Sequence, residues 1–113
     1  MLNDIERKRA EKIISRLLTP RLSPHVKSGG TVLYRVVGQI IEIYSARPAY
    51  DEPDEIIDIP IARFRYVRTQ HVWQLFWSRA SGKWQGYEPM REAEDLAELV
   101  DEVWRDSYCC FWG

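Results

Sequence analysis

The chain has 113 residues, 45% of them hydrophobic, with 16 basic and 17 acidic side chains for a net charge of -1. That length fits one domain with one core, spanning 1–113, and the mixing of charge with aromatics excludes a disordered polyelectrolyte. Apolar runs of about four residues fall far short of the roughly 20 a membrane helix needs, and the charged start MLNDIERKRAEK shows no hydrophobic signal region, so the expected setting is cytoplasmic.

Asn3 followed by Glu6 has capping-box spacing, and Ala10, Ile13, Ile14, Leu17 and Leu18 recur at helical intervals. The spacing predicts an amphipathic helix over 4–18, closed by Thr19-Pro20 and followed by the polar link PRLSPHVKSGG. This end of the chain is basic (Arg7, Lys8, Arg9, Lys12, Arg16), whereas residues 91–113 are acidic (Glu92, Glu94, Asp95, Glu98, Asp101, Glu102, Asp106). Two terminal helices packed side by side would neutralise each other.

TVLYRVVGQIIEIYS changes period from helical to alternating. A glycine-first turn at Gly38-Gln39 pairs Tyr34 with Ile43 and Arg35 with Glu42, giving strands over 31–37 and 40–46. A one-residue slip would bury the charges, so the register is well specified. The segment RPAYDEPDEIIDIP (47–60) is rich in proline and acid; its composition predicts a mobile connection ending in an edge strand near 56–60. IARFRYVRTQHVWQLFW alternates again, with strands over 61–68 and 72–78 about a turn at Thr69-Gln70. Ala62, Phe64, Tyr66, Trp73, Leu75 and Trp77 then share one face, and Arg63, Arg65, Val67, Val72, Gln74 and Phe76 the other. Trp73 and Trp77 are therefore core side chains. A second turn at Ser81-Gly82, with a glycine bulge, leads to a short strand over 83–87 that brings Trp84 near Trp77.

Pro89 opens the last predicted helix, 90–105, with Ala93, Leu96, Ala97, Val100, Val103 and Trp104 along one face. The apolar tail 107–113, SYCCFWG, is expected to tuck against the sheet. The whole reads as an α+β domain: an N-terminal helix, an antiparallel meander of about five strands, and a C-terminal helix, both helices on one aromatic-rich sheet face.

Motifs for chemistry are missing. The serines lie in no G-x-S-x-G or S-x-x-K pattern, and His71 falls at a hairpin tip; a deep pocket joining His71 or Cys109 to a carboxylate is the arrangement that would favour an enzyme. The neighbouring pair Cys109-Cys110 makes neither a loop-closing disulfide nor a zinc set with His25 and His71. DEPDE lacks the glycine and spacing of an EF-hand loop, Gly29-Gly30 belongs to no phosphate-binding signature, and no cofactor is expected. What remains is binding. Arg63, Arg65, Arg68, Gln74 and Phe76 form a basic face with one ring, a pattern that holds phosphates while the ring stacks on a base, so single-stranded nucleic acid is one expected partner. A protein partner, or a second copy, added to the 56–60 edge strand near Ile57 and Ile59 is the other.

Arg47-Pro48, then Pro60, Ala62, Phe64 and Tyr66, then Trp73, Leu75 and Trp77 follow one another in an order that continues through Gly82, Trp84, Tyr87 and Pro89 to Phe111-Trp112-Gly113. This order resembles a bacterial family known as domain of unknown function 3024, over nearly the whole chain. Ser45 and Ser78-Arg79 stand where the family pattern carries acidic residues, which speaks against a carboxylate-based site. The resemblance implies no activity.

Overall fold

A computed structural model describes residues 2–18, 31–49, 51, 52 and 54–112. The link over 19–30, with His25 and Gly29-Gly30, lies outside them, as do Tyr50, Pro53 and Gly113. The described elements, in chain order, are α1 (Asp4–Leu18), β1 (Thr31–Val37), β2 (Ile40–Pro48), β3 (Ile56–Val67), β4 (Val72–Ser78), β5 (Trp84–Gly86), a 3-10 turn (Glu88–Met90), β6 (Glu92–Ala93) and α2 (Leu96–Arg105). The architecture is α+β: an antiparallel sheet ordered β1-β2-β3-β4-β5, with a helix at each end of the chain.

Helix α1 starts on the reciprocal capping box: Asn3 N–H donates to Glu6 Oε1 at 3.0 Å, and Glu6 N–H donates to Asn3 Oδ1 at 2.8 Å. Its buried side chains Ala10, Ile14 and Leu17 lie one or two turns apart and join a core with Ile41, Ile43, Phe64, Trp73 and Leu75 from the sheet and Leu99, Val100 and Val103 from α2. Both helices thus cover one sheet face. Across their contact Arg16 bonds Asp101 at 2.8 Å and lies 5.2 Å from the Trp104 ring centroid, one concrete pairing between the basic and acidic ends.

The first hairpin pairs Tyr34 with Ile43, Arg35 with Glu42 and Val36 with Ile41. Gly38 has φ 61°, a sign the turn demands and only glycine takes without cost. The third and fourth strands pair Ala62 with Trp77, Phe64 with Leu75 and Tyr66 with Trp73, so the indoles of Trp73 and Trp77 face the helices. The loop between these strands spans four residues and places His71 at φ 53°. Gly82, at φ 85°, donates to the Arg79 carbonyl at 2.8 Å, the glycine-bulge turn its sequence called for.

Four local expectations are corrected. Residues 47–60 are not a mobile connection among the described positions: β2 runs on to Pro48 and β3 begins at Ile56, paired from Pro48↔Ile56 to Tyr44↔Pro60, with Ala49 N–H donating to the Glu55 carbonyl at 2.8 Å. Pro60 sits where the register shifts, so its missing N–H interrupts no regular ladder. The predicted helix 90–105 begins only at Leu96. Asp95 caps it by accepting the Ala97 N–H at 2.9 Å, while Glu92 and Ala93 pair with Gln74 and Trp73 as β6, and Pro89 lies in the 3-10 turn. Its buried face is Leu96, Leu99, Val100, Glu102 and Val103, leaving Ala97 exposed. Finally, Trp84 pairs opposite Ser78, on the face away from Trp77, because the bulge at Gly82 shifts the phase of β5 by one residue.

The tail packs as a cap on the core. Asp106, buried and at φ 48°, accepts the N–H groups of Phe111 and Trp112 at 3.0 and 2.9 Å, and the Phe111 ring lies 4.9 Å from Tyr87. Tyr87 is itself 1% exposed and donates to Glu102 at 2.8 Å; burial, then that hydrogen bond, pushes its hydroxyl far above the usual tyrosine range.

Candidate functional site

The helices cover one face of the sheet; the other carries two cross-strand rows. One row runs Arg35, Glu42, Arg63, Phe76, Gly86, and the next runs Val37, Ile40, Arg65, Gln74, Glu92. Directly opposed residues share a face, so these rows follow from the alternation of each strand.

Within the first row the charges are largely spoken for. Glu42 lies between two arginines, ion-paired to Arg63 and 3.6 Å from Arg35 Nε. Arg35 also reaches Asp58 at 3.3 Å and stacks 4.2 Å from the Tyr44 ring centroid. Arg63 lies 4.5 Å from the Trp84 ring centroid, and its buried Nε has no hydrogen-bond partner among the described residues. Trp84 is thus half of a cation–π pair on this face.

Arg65 is different. It is exposed and has no ion-pair partner among the described residues. It lines an open groove of about 470 Å³ with Gln74, Phe76, Gly86, Arg91 and Glu92. Arg91 lies close over Gly86: a Cβ built on that glycine would stand 3.4 Å from Arg91 Nε, an ordinary contact that a methyl group would fill. The chain carrying Arg91 is held in place by two backbone bonds to Leu75, whose N–H donates to the Arg91 carbonyl at 3.0 Å and whose carbonyl accepts from Tyr87 N–H at 2.9 Å. The Arg91 guanidinium pairs with Glu88, 3.9 Å away and 70% exposed, and the Glu92 side chain lines the same groove.

Of the five residues singled out in the sequence, Arg65, Gln74 and Phe76 therefore meet in this groove. Arg63 lies beside Phe76 but is engaged by Glu42 and Trp84. Arg68 is carried elsewhere: both its terminal nitrogens donate to Glu6 on α1, at 2.8 and 2.9 Å. This contact holds the Glu6 carboxyl below its usual range, helped by the Asn3 backbone N–H. Arg91 was missed because it follows a proline turn and belongs to no alternating run; only the pairing of Glu92 with Gln74 returns it to the sheet.

A second cleft, of about 580 Å³, opens between α1, the tip of the β3–β4 hairpin and the start of α2. Trp73, Ala10, Ile13 and Leu96 give it an apolar floor; Glu6, Arg9, His71, Glu94 and Asp95 surround it. His71 Nδ1 is 3.4 Å from the Tyr66 hydroxyl. The cleft does join His71 to carboxylates: Glu6 is held by Arg68 and Asp95 caps α2, while Glu94 is exposed with no ion pair among the described residues, and no described serine, threonine, cysteine or lysine lines the cleft. Cys109 is exposed and lines neither cleft; Cys110 is half-buried, its thiol pushed up by burial and then by Asp106. No group of three or more metal-ligating side chains is found among the described residues. Nor is any helix there long and apolar enough to cross a membrane.

A family model described as a domain of unknown function (DUF3024) matches residues 2–113. No curated protein and no solved structure matches the chain.

Proposed function

Because the chain belongs to the DUF3024 family, whose description carries no activity, we propose a function from its own residues: a non-catalytic binding module that holds an anionic ligand on the sheet face opposite the helices. The observation that carries this reading is Arg65, exposed and without an ion-pair partner among the described residues, together with Arg91, whose ion pair to Glu88 is long and exposed, in one groove with the Phe76 ring and Glu92. Guanidinium groups match phosphate oxygens in geometry, and a ring between them offers a stacking surface for a base. Single-stranded nucleic acid is the ligand that uses both features.

Two available arginines neutralise two phosphates, so binding should weaken with salt at a logarithmic slope of about -1.4, near -0.7 per phosphate on a single strand. Such binding is weak and confined to low ionic strength, in keeping with a net charge of -1. The test is fluorescence anisotropy of a labelled single-stranded oligonucleotide across a salt series. Arg65→Ala and Arg91→Ala should each weaken binding, the double variant should abolish it, and Arg68→Ala should leave it unchanged. No binding by the parent at the lowest salt, or full binding by the double variant, would end the proposal.

A second reading, strand addition by a protein partner or a second copy, is supported by the far edge of β3, which over 56–60 has no strand partner among the described residues. Residues 56–60 pair with β2 on one side, while the partnership with β4 starts only at Ala62, and Ile56 is 61% exposed. A sedimentation coefficient that rises with concentration and falls back on Ile57→Lys or Ile59→Lys substitution would favour it; a monomer at every concentration would remove self-association. A cytoplasmic setting belongs to the same proposal, supported by the two free thiols.

A further inference from the structure

The cleft on the helical side has its own chemistry, independent of the arginine groove. We propose that it binds a small zwitterion of the α-amino acid class with an apolar or aromatic side chain.

The argument rests on which charges around the cleft are already used. Glu6 accepts from both Arg68 nitrogens and from the Asn3 N–H. Asp95 accepts the Ala97 N–H at the start of α2. Arg9 and Glu94 are left, exposed at the rim, with no ion pair to each other or to any other described residue. His71 has one ring nitrogen turned to the Tyr66 hydroxyl, so the other is available to a ligand. Between these groups lies apolar surface: Trp73, Ala10 and Leu96, each less than a tenth exposed.

An occupant of this cleft meets one cation, Arg9, without an ion pair among the described residues, the carboxylate of Glu94 beside that of the capping residue Asp95, and an aromatic wall. A phosphate or dicarboxylate would face Glu94 and Asp95 as well as Arg9. An organic cation would face Arg9. A neutral hydrophobe would cover Trp73 while leaving both rim charges without a partner. A ligand carrying one carboxylate and one ammonium on an apolar body satisfies all three surfaces, with its carboxylate at Arg9, its ammonium at Glu94 and its side chain on Trp73. The volume is within the usual range of small-molecule sites, and leaves room for water beside an aromatic amino acid.

The experiment titrates L-phenylalanine into the full chain, with 3-phenylpropionate, which lacks the ammonium, and phenethylamine, which lacks the carboxylate, as matched probes. Affinity is read by calorimetry and location by NMR shifts at the Trp73 indole and the His71 ring. L-Phenylalanine is expected to bind at micromolar to millimolar concentration and each matched probe about tenfold more weakly, the worth of one charge-assisted contact. Arg9→Gln should reduce L-phenylalanine to the level of phenethylamine without changing phenethylamine itself, and Glu94→Gln should do the same relative to 3-phenylpropionate. Both side chains are exposed, so the variants keep the fold, and unchanged NMR spectra of the free proteins would establish that. The proposal is overturned if millimolar L-phenylalanine moves neither Trp73 nor His71, if a matched probe binds as tightly as the amino acid, or if neither variant changes the affinity.

Discussion

Replacing Glu42 by glutamine should make the protein less stable and a better binder of anions at the same time. Glu42 is the one carboxylate between Arg35 and Arg63; its side chain is 24% exposed, that of Arg63 27% and that of Arg35 45%. The Arg35 arm is exposed enough to contribute little. The Arg63 arm is more sheltered, and a hydrogen bond to a charged group in such a place is worth about 1.5–3 kcal/mol, of which a neutral amide oxygen retains about half. The expected loss is therefore about 1 kcal/mol, which lowers the melting temperature of a chain this size by about 4 °C. Arg63 keeps the Trp84 ring, so the face holds its shape while gaining one net positive charge. For a single-stranded oligonucleotide the salt slope should steepen by about 0.7 if the released guanidinium reaches one more phosphate. Thermal and urea denaturation measure the first effect and anisotropy across a salt series the second. A Glu42→Gln variant as stable as the parent, or a double-mutant cycle with Arg63→Met showing no coupling, would refute the account of this row of charges. A loss of stability without a change in slope would keep the ion pair and show that Arg63, held on the Trp84 ring, adds no phosphate contact to those of Arg65 and Arg91.

Three other outcomes follow from the same structure. Glu6 has a lowered carboxyl pKa in the folded protein, so its contribution to stability is present above its ordinary value of 4.5 and is lost as pH falls through the lowered value; Glu6→Gln, which keeps the capping hydrogen bond, should be less stable at neutral pH and show a flatter acid limb in urea midpoints. Iodoacetamide at mildly alkaline pH should modify the exposed Cys109 before Cys110, whose thiol is pushed up by burial; peptide mapping showing equal rates would contradict the placement of the tail. Asp106→Ala removes the acceptor of two buried-end N–H groups and places alanine at φ 48°, which should cost about 2–3 kcal/mol and speed hydrogen exchange at Phe111 and Trp112, with Asp106→Asn intermediate.

Local alternation was enough to determine the parts of this protein in which neighbours in sequence are also neighbours across a turn. Gly38 and Gly82 mark reversals whose geometry requires glycine, and the large side chains on either side of the β3–β4 loop have only one register that buries Phe64, Trp73 and Leu75 together. The inward phase of the indoles and the outward phase of Arg63 and Arg65 follow from that register.

Tertiary structure decided whatever depends on a partner distant in the chain. Arg63 and Arg65 look alike in sequence, two positions apart on one strand; Glu42 and Trp84 engage the first, while the second has no ion-pair partner among the described residues. Arg68 reads as the third member of the set until α1 brings Glu6 to it from 62 positions away. Arg91 reads as an ordinary helix-start residue until β6 pairs with β4 and lays its side chain over Gly86. Periodicity reports which face a side chain takes, because that is a property of one strand. Whether its charge is already spent is a property of what packs beside it, and for this protein that is what separates a candidate ligand contact from a piece of the scaffold.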